Sequence, residues 1–258
     1  MSNLYFELTR EFNQAGTVAV LSSGQAVVWY RLAIMSKDGD WIVREDRAAC
    51  SQIRKVLAEH GAFYRAGAPL EVEWLAGGWS SHFEFTESRG LRIRCDFVSR
   101  PPRVAPTAVE ALFAQSWADV QLPVVDLTSL IVTKRTQRAK DYPIIGALAR
   151  LLPPADELRF TTDPDRILEL AATHGVDNDR PAVCLAVQNR NRDEVVVALA
   201  READQQQLLD RARLQRYERT GADYLREFLR SDLGSIPLTE AHPRVVALAD
   251  RLLPRTLT

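Results

Sequence analysis

Cysteine is scarce in this chain: Cys50, Cys95 and Cys184 are the only three among 258 residues. An odd number at no paired spacing excludes a disulfide framework and offers no zinc-ligand pattern. A reducing, cytoplasmic setting is the expectation. No apolar run approaches the length of a membrane span, so no membrane partner is expected. The opening residues, MSNLYFELTREFNQ, are amphipathic and mixed in charge, without the apolar stretch of a secretory signal. Net charge is nearly absent, at −1. A chain with no basic field is not built to wrap nucleic acid, because that binding rests on many phosphate contacts by Lys and Arg. Histidine is thin as well. His60, His82, His174 and His242 are scattered, with no helical ligand spacing, and read as structural. Ser80 and Ser81 precede His82, but a serine and a histidine this close in sequence are no triad signal.

What the chain does contain is ordinary for a globular protein: 46% hydrophobic and 26% charged residues, enough for a sizeable core. Its cations are nearly all arginine, with four lysines among thirty-three basic residues. Arginine suits bidentate phosphate contacts, although GC-rich coding is the plainer source of such a bias.

Periodicity predicts helices and strands in an uneven order. Asn3 to Ala15 reads as a helix ended by Gly16, and Thr17 to Leu21 as a short buried strand. Ser22, Ser23 and Gly24 make a small-residue turn before a short helix, Gln25 to Leu32. Asp38 to Val43 reads as the next strand, Ala48 to His60 as a helix, and Leu70 to Leu75 as an alternating strand. Trp74 and Trp79 read as packing for the sheet. His82 to Thr86 and Leu91 to Val98 alternate about Ser88-Arg89-Gly90, a hairpin signal. Beyond Pro106 the pattern is helical: Thr107 to Ser116, Thr128 to Arg138, Tyr142 to Leu152, Asp165 to His174, Arg192 to Arg219, Gly221 to Leu229 and Pro243 to Leu253. The polar segment from Arg192 to Arg219 reads as a solvated helix. Strands crowd the first hundred residues and helices the remainder. The expected class is therefore α+β, with a mixed sheet and flanking helices followed by a mainly helical C-terminal region.

The chemistry lies in Lys37-Asp38-Gly39-Asp40. Residues two apart on a strand project to one face, so Asp38 and Asp40 emerge together. Carboxylates held that closely repel each other and invite a divalent cation. Asp96 sits in the alternating run LRIRCDF, and a neighbouring position for that strand would add a third acid. Three such acids can hold two ions about 3.5–4 Å apart for in-line phosphoryl displacement. The plainer reading of D-x-D is turn chemistry, each Asp bonding a nearby backbone N–H. Arg92 and Arg94 share the strand face of Asp96, either to bind phosphate or to pair with the acids.

The order strand, small-residue turn, helix, then D-x-D fourteen residues after Gly24, is carried by EFNQAGTVAVLSSGQAVVWYRLAIMSKDGDWIV. This stretch resembles the nucleotidyltransferase superfamily, in particular its minimal-nucleotidyltransferase and abortive-infection (AbiEii-like) toxin branch. A second stretch, VVDLTSLIVTKRTQRAKDYPIIGALARL, is similar to the family's lysine-bearing helix and the Arg-x-Lys-Asp after it. The likeness covers about residues 5 to 152. It implies ligation of Mg²⁺ or Mn²⁺ by Asp38, Asp40 and Asp96, with Asp96 also a base toward the acceptor hydroxyl. It implies phosphate contact at Ser22, Ser23 and Gly24, and triphosphate contact by Lys134 and Arg138, with Asp141 orienting one of these cations. Spacing alone puts Lys134 and Arg138 on one helix face, which on its own is most often a solvated basic surface. The implied reaction moves a nucleotide from an NTP to a hydroxyl of an RNA such as tRNA, of a protein or of a small molecule. The branch implies a toxin–antitoxin or phage-defence role and a cognate antitoxin as partner.

The implied organisation is a catalytic domain over residues 1–104 and a helical region over 105–258. Residues 105–152 would complete the active site, and 153–258 would form an extension of no assigned role. Two departures from the family pattern stand out. Ser23 occupies a position usually glycine, and Gly39 one usually apolar. They support the alternative of a catalytically degenerate nucleotide-binding or regulatory module on the same fold.

Overall fold

The computed structural model describes residues 3–114, 122–175 and 178–257. The chain forms two compact units, one of residues 1–125 with 216–258 and one of residues 126–215. The class is α+β, as expected.

In the first unit, helix α1 (Leu4–Phe12) leads to strand β1 (Ala19–Ser22), helix α2 (Ser23–Trp29), strand β2 (Asp38–Val43) and helix α3 (Arg47–Glu59). Strand β3 (Phe63–Tyr64), the short helix α4 (Val72–Leu75), strands β4 (Ser81–Thr86) and β5 (Arg92–Val98) and helix α5 (Pro106–Ala114) follow. The sheet order is β1-β2-β5-β4-β3; β2 and β5 run parallel and the other pairs antiparallel. Alternation decides its two faces. Phe83, Phe85, Ile93, Cys95 and Phe97 are buried, while His82, Glu84, Arg94 and Asp96 between them are half-exposed.

The buried face is aromatic. Trp41 stacks on Phe97 with centroids 5.3 Å apart, and Phe12 from α1 meets both edge-on. The indole N–H of Trp41 donates to Thr9 Oγ1 (2.9 Å), which donates to Tyr5 O (2.7 Å), so the polar atoms of Trp41 and Thr9 are satisfied inside the core. Asn13 joins α1 to β1, accepting from Val18 and Ala19 N–H and donating to Thr9 and Ala19 carbonyls.

The second unit holds helix α6 (Leu127–Lys134), a 3₁₀ turn (Ala139–Asp141), and helices α7 (Tyr142–Ala149), α8 (Pro154–Glu157), α9 (Pro164–His174) and α10 (Pro181–Asn189). The long helix α11 (Arg192–Arg230) contributes residues to both units, and α12 (Leu238–Leu252) belongs to the first. Asp126 caps α6 through the Ser129 N–H, and Asp163 caps α9. Leu158, Ile167, Leu170, Val183 and Val195 are central to the unit's apolar core.

Several elements differ from the sequence reading. Leu70 to Leu75 is not a strand, since α4 turns there and buries Leu70, Trp74 and Leu75. Strand β3 and helix α10 were not anticipated. Arg192 to Leu229 is one helix rather than two. Gly221 continues it, and Trp79 lies 3.3 Å from where a Cβ would stand, so glycine marks a close approach and not a break. Helix α12 starts at Leu238 after Pro237 and carries Pro243 inside it. Helix α6 ends at Lys134, so Arg138 does not share its face. Thr136 N–H bonds Lys134 O (2.8 Å) and its hydroxyl bonds Asp141 (2.9 Å), a local alternative that competes with helix continuation. Residues 115 and 116 of the expected Thr107 to Ser116 helix lie outside the described residues.

Two predictions concern the first unit. A Cβ at Gly39 would stand 2.4 Å from the Trp41 ring and 2.5 Å from Tyr5. Gly39→Ala should therefore lower stability by about 1–3 kcal/mol in urea unfolding, as overpacking does. His242 accepts from Tyr64 OH at Nδ1 (2.7 Å) and donates to Glu71 at Nε2 (2.9 Å), with Arg54 also paired to Glu71. The direction follows because the Glu71 carboxylate only accepts, so the ring proton is at Nε2 and Nδ1 of the neutral ring accepts from Tyr64 OH. Burial, then the Arg54 charge, holds His242 below the ordinary value of 6.5. The unfolded chain thus binds the extra proton, and stability falls as pH drops below about 6.5 toward the folded-state value. His242→Gln should show a shallower loss than wild type between pH 7 and 5 in thermal unfolding.

Candidate active site

The polar face of the sheet opens at the N-terminal end of β2. Asp38 and Asp40 project there, and past Asp40 the strand is buried on both sides through Trp41, Ile42 and Val43. Parallel pairing sets Asp40 opposite Asp96 and Asp38 opposite Arg94. Residues opposite one another in register share a face, so all three acids lie on the same side, with Asp40 and Asp96 one strand spacing apart, about 4.8 Å. Antiparallel pairing sets Ser22 beside Asp40 and His82 beside Asp96. One row therefore reads Ser22, Asp40, Asp96, His82 across four strands.

The segment carrying Asp38 is tied down from the other face. Tyr5 OH donates to Lys37 O (2.5 Å), and Gln25 donates to Ser36 O (2.8 Å) while accepting from Asn3 (3.0 Å). Burial pushes the Tyr5 phenol up to about 12, with the neighbouring Cys95, Asp38 and Asp40 adding to it, so it stays a donor. Burial, then the Asp96 charge, raises the Cys95 thiol well above its ordinary value. It faces the core as a neutral group.

The carboxylates have unequal surroundings. Asp96 Oδ1 accepts from His82 Nδ1 (2.7 Å) and from Arg65 Nη1 (3.4 Å), and both bonds end on that one oxygen. Asp38 Oδ1 is buried without a hydrogen-bond partner, although Arg94 Nη1 stands 3.7 Å away. Glu84 lies among Arg65, Arg92 and Arg94 at 3.7–3.9 Å. Among the described residues no three His, Cys, Asp or Glu side chains are drawn into one metal-sized group. Asp38 leans to Arg94 and Asp96 to β4, so the acids share a face without closing on a point.

A divalent cation with hard-oxygen preference suits these donors. Mg²⁺ is bound through one or two carboxylates, water and substrate phosphates, not a full protein cage. The orphaned Asp38 oxygen and the opposed Asp40–Asp96 pair provide that partial set. Like charges placed directly opposite across strands are otherwise a cost.

The turn beside Asp40 follows. Ser22 is buried, and Ser23 adopts a left-handed backbone, φ 50°, a conformation that favours glycine. Gly24 lies against Ser36: a Cβ there would stand 2.1 Å from Ser36 Oγ. The glycine thus serves packing of the loop that leads to Asp38.

The other expected residues belong to the second unit. Lys134 is buried at the end of α6. Arg138 pairs with buried Asp141 (3.0 Å), to which Thr136 also donates. Asp141 is thus held between the Arg138 guanidinium and the Thr136 hydroxyl.

Sequence reasoning missed His82 and Arg65 as partners of Asp96. A usable signal was present. The hairpin pairs Thr86 with Arg92, and counting back along both strands sets His82 opposite Asp96.

No protein-family model matches the chain, and no curated protein matches it. Two solved structures are similar to it. One, described as a candidate nucleotidyltransferase from H. pylori, is 14% identical and aligns over 82% of this chain and 98% of its own, with a TM-score of 0.40. The other, JHP933 from Helicobacter pylori, is 13% identical over 83% of this chain and 97% of its own, with a TM-score of 0.38.

Proposed function

We propose that the open sheet face is the site of a cation-dependent nucleotidyl transfer. The observation that carries this reading is the parallel register that sets Asp40 against Asp96 on the face bearing Asp38. Asp38, Asp40 and Asp96 would hold Mg²⁺ or Mn²⁺. When bound, the cation neutralises phosphate charge and lowers the pKa of the attacking hydroxyl.

The step is a displacement at the α-phosphorus of an NTP. The acceptor oxygen forms the new O–P bond, the bond to the β-phosphate bridge breaks, and pyrophosphate leaves with that electron pair. Asp96 Oδ2, which accepts from no described residue, takes the acceptor's proton. The Ser22–Gly24 turn offers backbone N–H groups and hydroxyls to phosphate oxygens beside Asp40. The triphosphate contacts of Lys134 and Arg138 rest on the sequence resemblance. The acceptor class (RNA such as tRNA, protein or small molecule) and a place in the abortive-infection branch with a cognate antitoxin rest on the sequence resemblance, and a cytoplasmic setting rests on the three unpaired cysteines. No described helix is long and apolar enough to cross a membrane.

A second reading has its own observation. The pairing of Asp38 with Arg94 and of Asp96 with Arg65 and His82 is also what a salt-bridged, non-catalytic sheet face would show. On that reading the protein is a nucleotide-binding or regulatory module.

Incubation with each α-labelled NTP, Mg²⁺ and total RNA separates the two. Transfer predicts labelled acceptor and loss of labelling by about 10²-fold or more in Asp40→Asn and Asp96→Asn, the scale for removing one electrostatic stabiliser. No labelling with any nucleotide, together with an NTP thermal shift indifferent to Mg²⁺, would sink the transferase and leave the binding module.

A further inference from the structure

The row of acids continues into a line of hydrogen bonds that reaches helix α11. His82 Nδ1 lies 2.7 Å from Asp96 Oδ1, and His82 Nε2 lies 2.9 Å from Ser80 Oγ. Ser80 Oγ lies 2.8 Å from Tyr217 OH, and the Ser80 N–H donates back to that phenol oxygen at 3.4 Å. The Tyr217 ring packs edge-on against Trp79, centroids 4.8 Å apart, which fixes the phenol's place.

Donor and acceptor chemistry gives this line one direction. An ionised carboxylate only accepts, so the proton on His82 is at Nδ1. In the neutral ring Nε2 is then an acceptor, and Ser80 donates to it. The Ser80 oxygen in turn receives the phenol proton of Tyr217. The Tyr217 and Ser80 hydroxyls and the His82 ring N–H thus each donate toward Asp96.

We propose that His82, held by Ser80 and Tyr217, is the positioning residue that fixes Asp96 for cation binding. This rests on the reading of Asp96 as a cation ligand. The bonds from His82 and Arg65 both end on Oδ1, which leaves Oδ2 aimed by a carboxylate that cannot rotate freely. Carboxylates that bind metal are commonly held by such outer hydrogen bonds, and losing one costs about 10–100-fold in metal affinity or activity. Because Nδ1 already donates to Asp96, His82 does not take the proton that Asp96 receives. Its work is orientation. Tyr217 acts at one further remove, through Ser80.

The test uses the full chain and Mn²⁺ alone as probe, read by calorimetry and electron paramagnetic resonance, with ¹⁵N NMR of the His82 ring. Wild type should show the Nδ1–H tautomer and bind Mn²⁺, and Asp40→Asn should abolish that binding. His82→Ala should weaken it by about 10–100-fold. His82→Asn, whose amide N–H can stand where Nδ1 stood, should recover much of it. Tyr217→Phe keeps the ring against Trp79 and should weaken Mn²⁺ binding at an unchanged melting temperature, so the test survives if His82→Ala fails to fold. An Nε2–H tautomer, or wild-type affinity in both Tyr217→Phe and His82→Ala, overturns the positioning line while leaving the acid site standing. Mn²⁺ binding that is absent, or indifferent to Asp40→Asn, overturns the acid site and the positioning line together.

Discussion

The parallel pairing of β2 with β5 is the constraint on which the first unit depends. It places Trp41 against Phe97 on one face and Asp40 against Asp96 on the other in the same few residues. The stacked rings exclude water and favour the pairing, while the two carboxylates oppose it. A shift of one residue would turn the acids into the aromatic core and the rings into solvent. The register is therefore held by the core, and the placement of like charges is its consequence on the other side of the sheet.

Gly39 lets both sides coexist. Tyr5 and the Trp41 indole occupy the space above it, and from there the Tyr5 phenol holds the Lys37 carbonyl at the start of the strand. What reads in sequence as a weak point in a β-strand is where the core grips the segment that carries Asp38. Gly24 serves similarly, admitting Ser36 close to the start of α2. The left-handed Ser23 just before Gly24 is the less comfortable residue, because its backbone adopts a conformation that glycine takes more readily. Backbone strain of this kind is of order 1–3 kcal/mol and persists where surrounding structure enforces it.

Much of this was legible in the sequence because it depends on period and on short-range chemistry. Strand β2 was readable at its observed ends, the β4–β5 hairpin followed from alternation about Gly90, and the shared face of Asp38 and Asp40 followed from a period of two. Long-range commitments were not legible. Gly221 looks like a helix end until Trp79 is seen against it, and Leu70 to Leu75 alternates like a strand although its buried residues pack as a helical turn. Arg138 falls off the α6 face because one threonine hydroxyl finds Asp141, a bond that spacing does not reveal. The pairing of His82 with Asp96 is intermediate: the hairpin register sets the two opposite each other, but the bond between them shows only in the structure.

The arginines around the acids bear on both functional readings, and their geometry favours a loose hold. Arg94 stands 3.7 Å from Asp38, whose side chain is 41% exposed, and the contacts of Glu84 with three arginines are no shorter. Ion pairs this open are worth about 0–1 kcal/mol. A divalent cation brings twice the charge to the same oxygens and would displace such a partner at small cost. The His82 bond to Asp96 is of another kind: short, directed and half-buried, with its own support behind it. An incoming cation would therefore find Asp38 able to turn and Asp96 already aimed. That asymmetry suits a site in which one carboxylate sets the frame and its neighbours close onto the ion.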